Sequence, residues 1–83
     1  MQTKTKTGAI ARAVIAMTGR GSLVFNDRLR DGRRSLKVWG WTFKDYEMAR
    51  ELLTRAKCQV QVVEFDSYSR GMVKRQIRLH IQE

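Results

Sequence analysis

The sequence predicts an α+β domain ordered helix–β-hairpin–helix–β-hairpin, whose antiparallel sheet has one face covered by a helix over residues 43–57. Three observations carry that reading. Asp31-Gly32 lies in the middle of a rough apolar–polar alternation from Ser22 to Trp41, and Asp-Gly is a preferred pair for a tight hairpin turn. Residues 43–57, FKDYEMARELLTRAK, repeat apolar side chains at helical spacing. Two β-rich runs, 59–65 and 72–83, follow with a cluster of turn-forming residues between them.

In chain order, residues 1–6 are polar and basic and read as a disordered tail, which leaves 7–83 as a single domain. Thr7 is placed to cap a short helix, GAIARAVIAM, with Ile10, Ala13, Val14 and Met17 on one side. The same residues alternate acceptably as a strand, but four alanines favour the helix. Gly19 and Gly21 end it, with Arg20 in the connecting turn. Such a turn can bind phosphate through backbone N–H groups, yet TGRG lacks the lysine and spacing of a phosphate loop and reads as a connector.

If Asp31 and Gly32 are the whole hairpin loop, Arg30 faces Arg33, Leu29 faces Arg34, Asp27 faces Leu36, Phe25 faces Val38 and Leu23 faces Gly40. Side chains alternate across a strand, so one face carries Leu23, Phe25, Leu29, Leu36 and Val38. The other carries Val24, Asn26, Arg28, Arg30, Arg33, Ser35, Lys37, Trp39 and Trp41. A one-residue bulge beside Gly32 would pair Phe25 with Lys37 instead. The simple turn is preferred because it sets apolar against apolar.

Thr42 is the expected cap of the 43–57 helix, with Asp45 in its first turn and Arg55 and Lys57 in its last, an order that suits the helix dipole. Tyr46, Ala49, Leu53 and Ala56 form its apolar side, flanked by Phe43 and Leu52, while Glu47 and Glu51 pair outward with Arg50 and Arg55. Cys58 leaves the helix as a small buried filler. Residues 59–65 form a strand, DSYSRG a loop, and MVKRQIRLHIQE a strand with Val73, Ile77, Leu79 and Ile81 on one face and Lys74, Gln76, Arg78 and His80 on the other. A sheet so assembled gathers a basic, tryptophan-bearing open side; the competing arrangement lays the N-terminal helix over it and buries Trp39 and Trp41.

The chain has 83 residues, 42% of them apolar, and a formal net charge of +9. A domain of this size buries only about 60% of its unfolded surface, so one thin core is expected. The charge excess repels itself, and a polyanion relieves it. A lone cysteine excludes an intrachain disulfide framework and points to a reducing compartment; with no membrane-length apolar run, a cytoplasmic protein is expected. One histidine, one cysteine and no metal-ligand spacing speak against an enzyme and call for no cofactor or metal. A small ribonuclease using Tyr68, Arg70 and His80 stays open on residue types alone.

The leading expectation is therefore a non-enzymatic DNA- or RNA-binding protein. Phosphates fall to Arg28, Arg30, Arg33, Arg34 and Lys37 of the first hairpin and to Lys74 and Arg78 of the second, with Trp39 or Trp41 stacking on bases. The alternative is a protein-binding regulator or inhibitor of an acidic or nucleic-acid-processing partner, of the size common among small phage and plasmid proteins. An unpaired edge strand and the thin core are also compatible with a homodimer.

Overall fold

A computed structural model describes residues 5–83, with the side chains of 23–25, 65, 67 and 69 left out. The order is α1 (Lys6–Thr18), β1 (Leu23–Arg28), β2 (Arg34–Trp39), α2 (Phe43–Arg55), β3 (Gln59–Ser69) and β4 (Met72–Gln82), the expected helix–hairpin–helix–hairpin. The strands form one antiparallel four-stranded sheet in the order β1-β2-β4-β3, so the two hairpins meet along β2 and β4. Both helices pack on the same face. Ala11 and Val14 of α1 and Tyr46, Ala49 and Leu53 of α2 share one core with Leu36, Val38, Leu79 and Ile81 of the sheet. The arrangement that would lay the first helix over the tryptophan-bearing face is thereby excluded.

The first helix starts earlier than its sequence implies. Thr5, not Thr7, is the N-cap, its side chain accepting from the Gly8 amide at 3.0 Å. Thr7 instead lies buried in the first turn, where both its amide and its hydroxyl donate to Glu83 Oε2, at 3.0 and 2.6 Å. A carboxylate there satisfies an orphan helix amide and sits at the positive end of the dipole. Burial alone would push the Glu83 carboxyl up; the two Thr7 bonds, with the charges of Arg34 and Lys6, hold it below its ordinary range. The buried side of α1 is Thr7, Ala11 and Val14, with Ile10 and Ile15 packed alongside, while Ala13 and Met17 face out. Of the expected tail, residues 1–4 lie outside the described residues and Lys6 opens α1.

The first hairpin departs from the expected register by one residue. Its ladder pairs Leu23 with Trp39, Val24 with Val38, Phe25 with Lys37, Asn26 with Leu36, Asp27 with Ser35 and Arg28 with Arg34. The cause is the loop. Leu29 N donates to Arg33 O at 2.7 Å and Gly32 N to Leu29 O at 3.0 Å, so Arg30, Asp31 and Gly32 together make a three-residue loop with Gly32 at φ 91° in the left-handed position. Asp31 favours it by accepting from the Arg33 amide at 3.0 Å and from its Nε at 2.7 Å. The bulged register, set aside on apolar pairing, is the one adopted.

The second hairpin differs in length. Residues 66–69, expected in a loop, continue β3, and only Arg70 and Gly71 turn, both at positive φ (53° and 75°) as a type I′ turn requires. Thr42 caps α2 as expected, and Asp45 bonds it reciprocally to complete a capping box; the helix ends at Arg55 rather than Lys57, which takes φ 65°. Tyr46, Ala49 and Leu53 are buried as expected, whereas Phe43 is half exposed. Glu47–Arg50 (3.7 Å) and Glu51–Arg55 (2.8 Å) pair on the outer face, and Cys58 is buried. No helix among the described residues is long and apolar enough to cross a membrane.

The turn residues of TGRG lock the helices to each other. Arg20 makes a two-pronged contact with Asp45, Nε to Oδ2 at 3.0 Å and Nη2 to Oδ1 at 2.7 Å, and Asp45 is 1% exposed. The Arg20 guanidinium, against the cost of burial, holds the Asp45 carboxyl at about 2 instead of 3.8. A depressed carboxyl contributes stability that is complete above its unfolded value and lost as pH falls through the folded one. In urea titrations Asp45→Asn should lie about 2 kcal/mol below the native chain at neutral pH, and that gap should close between pH 3.8 and about 2. A pH-independent gap would refute the assignment. Gly21 sits at φ 101°, and a Cβ there would meet Trp41 Nε1 and Val38 Cγ1 at 2.8 Å and Ile15 Cγ1 at 2.9 Å. Gly21→Ala should therefore destabilise by about 2–4 kcal/mol in the same assay.

Candidate nucleic-acid interface

The side of the sheet away from the helices carries every second residue of each strand. Among the described side chains these include Asp27 on β1; Ser35, Lys37 and Trp39 on β2, preceded by Arg33; Lys74, Gln76, Arg78 and His80 on β4; and Gln61 and Val63 on β3. Arg33 Nη1 reaches Gln61 Oε1 at 3.4 Å, which places its guanidinium on this side as well. Lys37 Nζ bonds Gln76 Oε1 at 2.8 Å and lies 5.2 Å from the centre of the Trp39 ring. The Trp39 contact is a cation–π interaction within β2, and the Gln76 bond ties it to the second hairpin.

The tryptophans divide. Trp39 is 55% exposed on the open face. Trp41 turns back toward the core, edge-on to Tyr46 with centroids 5.0 Å apart, and its Nε1 donates to Arg20 O at 3.1 Å. Trp41 is therefore a structural residue and leaves the expected set of base-stacking groups. Arg28 leaves the open face too, because the one-residue register change pairs it with Arg34 on the helix side, where Arg34 lies close enough to Glu83 to influence its charge. Arg30 is exposed at the loop tip. Of the expected phosphate contacts, Arg33, Lys37, Lys74 and Arg78 share the open face with Trp39, and Arg28 and Arg34 do not.

Two hollows flank the Lys37–Trp39 pair. One, of about 190 Å³, is lined by Asp27, Ser35, Lys37, Trp39 and Arg78. The other, of about 250 Å³, opens where β2 and β4 part and includes Trp39, Trp41, Tyr46, Lys74, Arg75 and Gln76. The parting is built in. The β2–β4 ladder holds only Arg34–Ile81, Ser35–His80 and Leu36–Leu79. Beyond it the Tyr46 hydroxyl takes the place of a neighbouring strand, accepting from Val38 N at 3.1 Å and donating to Val38 O at 3.2 Å. Burial raises the Tyr46 hydroxyl's pKa, which keeps it neutral and able to do both.

Asp27 is the site residue that sequence reasoning missed, whereas Ser35 lies on the face expected of it. The assumed two-residue turn put Asp27 on the core face, and only the Asp31–Arg33 interaction that favours the longer loop could have corrected it. Among the described residues, no group of three or more His, Cys, Asp and Glu side chains comes together to hold a metal.

No family model, curated protein or solved structure matches the chain significantly. Tyr46→Phe would strip both bonds from a buried backbone pair, so a loss of about 1–3 kcal/mol is expected in denaturant titration, with faster amide exchange at Val38. Unchanged exchange there would show that the hydroxyl does not close the gap.

Proposed function

We propose that the chain is a non-enzymatic nucleic-acid-binding protein that lays a single strand across the open face of its sheet. The observation that supports this most is the convergence of Lys37, Lys74 and Arg78 around one exposed indole, with Arg33 farther along the same face, which no helix covers. Cations give the backbone its hold, and an exposed ring gives bases a stacking platform worth about 1–3 kcal/mol. The hollows either side of Trp39 suit unstacked bases rather than the edge of a paired duplex. The net charge of +9 supplies long-range attraction for the polyanion.

A second reading rests on the far end of the second hairpin. Tyr68, Met72 and Val73 are more than half exposed there, beside the Arg70-Gly71 turn. Such residues anchor protein interfaces, which favours a regulator or inhibitor of another protein.

Anisotropy titrations of labelled single strands across a salt series separate the two. Four open-face cations imply a log–log slope of about −3. Lys74→Ala and Arg78→Ala should each flatten the slope by about 0.7 and Trp39→Ala should weaken binding about tenfold at every salt concentration. Arg28→Ala, on the opposite side, should leave the slope unchanged. Equal effects of Arg28 and Arg78, or loss of binding only on replacing Tyr68 and Met72, would overturn the open-face reading.

A further inference from the structure

The hollow beside Trp39 contains an acceptor that a phosphate-binding surface has no use for. Asp27 lies opposite Ser35 in the β1–β2 ladder, is exposed, and makes no hydrogen bond or ion pair among the described residues, although Lys37 and Arg78 line the same hollow. It caps no helix and closes no turn. Next to phosphates its charge is repulsive, so it weakens the general affinity of the face. An ionised carboxylate is an acceptor only, with two oxygens in one plane. The ligand it suits therefore presents donors, not charge.

The rest of the lining narrows the choice. Lys37 and Arg78 are donors only, Ser35 is a buried hydroxyl at the sheet surface, and Trp39 offers a ring. At about 190 Å³ the space falls below the ~300–1,000 Å³ of drug-sized pockets, which suits one planar base. Among the bases, guanine alone puts two donors side by side on its Watson–Crick edge, N1–H and N2–H₂, with an acceptor, O6, next to them. Cytosine and adenine set a ring acceptor beside their amine, where the carboxylate would repel it. Uracil and thymine have one donor between two acceptors.

The geometry points to Asp27 as the residue that selects an unpaired guanine, its two oxygens accepting from N1–H and N2–H₂ while Lys37 or Arg78 donates to O6 and Trp39 carries the ring. This rests on the single-strand reading above and goes beyond it by naming a base. The Watson–Crick edge must be free, so a duplex presents nothing to this hollow.

The test uses labelled oligothymidylate 12-mers whose central residue is guanine, adenine, cytosine or hypoxanthine, titrated with the native chain and with Asp27→Asn and Lys74→Ala. The native chain should bind the guanine oligomer about tenfold more tightly than the all-thymine one, the size of one bidentate contact. Hypoxanthine, which lacks only the N2 amine, should lose most of that preference. Asp27→Asn should abolish the preference while binding all-thymine at least as tightly as the native chain, since a repulsive charge is gone. Lys74→Ala should weaken all oligomers and keep the preference. Tight binding without guanine preference, or a preference that survives Asp27→Asn, overturns the guanine assignment alone. No binding to any oligomer at about 50 mM salt overturns it together with the nucleic-acid reading.

Discussion

Three residue pairs, Arg34–Ile81, Ser35–His80 and Leu36–Leu79, join the two hairpins into one sheet, and the rest of the molecule is organised by where that ladder stops. Along it the strands are covered by α1 and α2 around Leu36, Leu79 and Ile81, all without exposed surface. Above it β2 and β4 diverge, and a buried polar backbone would be left open. Tyr46 resolves this with a single hydroxyl on Val38, which lets the strands separate without an unsatisfied pair. The hollow in the open face exists because the ladder is short and its end is closed from the helix side.

The charge distribution follows from the same layering. The acidic residues are spent mainly on structure: Asp45 on Arg20 and the cap of α2, Glu83 on Thr7 at the start of α1, Asp31 on the hairpin loop, Glu47 and Glu51 on neighbouring arginines. Among the described residues, the charges that remain on the open face are cations, apart from Asp27. A chain that is +9 overall is thus more one-sided in charge than its composition requires, because its carboxylates are drawn to helix termini and turns by the unpaired amides there. Asp27 is the exception that calls for a ligand.

Much of this was legible from residues alone. The N-cap at Thr42, the apolar side of α2 and the alternation of β4 follow from the residues because each depends on neighbours within one or two turns or on a period of two. The register of the first hairpin also has a local cause. One extra loop residue exchanges the two faces of β1, since a strand has no memory of which side is buried beyond its register. Arg28 moved to the helix side by this step and Asp27 to the open one. Thr7 was misread as a cap because its true partner, Glu83, is at the other end of the chain.

Element order, the excess of positive charge and the gathering of Lys74, Arg78 and His80 on one side of a strand follow from the chain alone, because periodicity and composition are its properties. Long-range packing is what sets both helices on one face and leaves Trp39 exposed while Tyr46 and Arg20 hold Trp41. The two indoles lie two residues apart on an alternating stretch and are indistinguishable by pattern. What separates them is Gly40, at φ 91°, which turns the chain out of the strand between them.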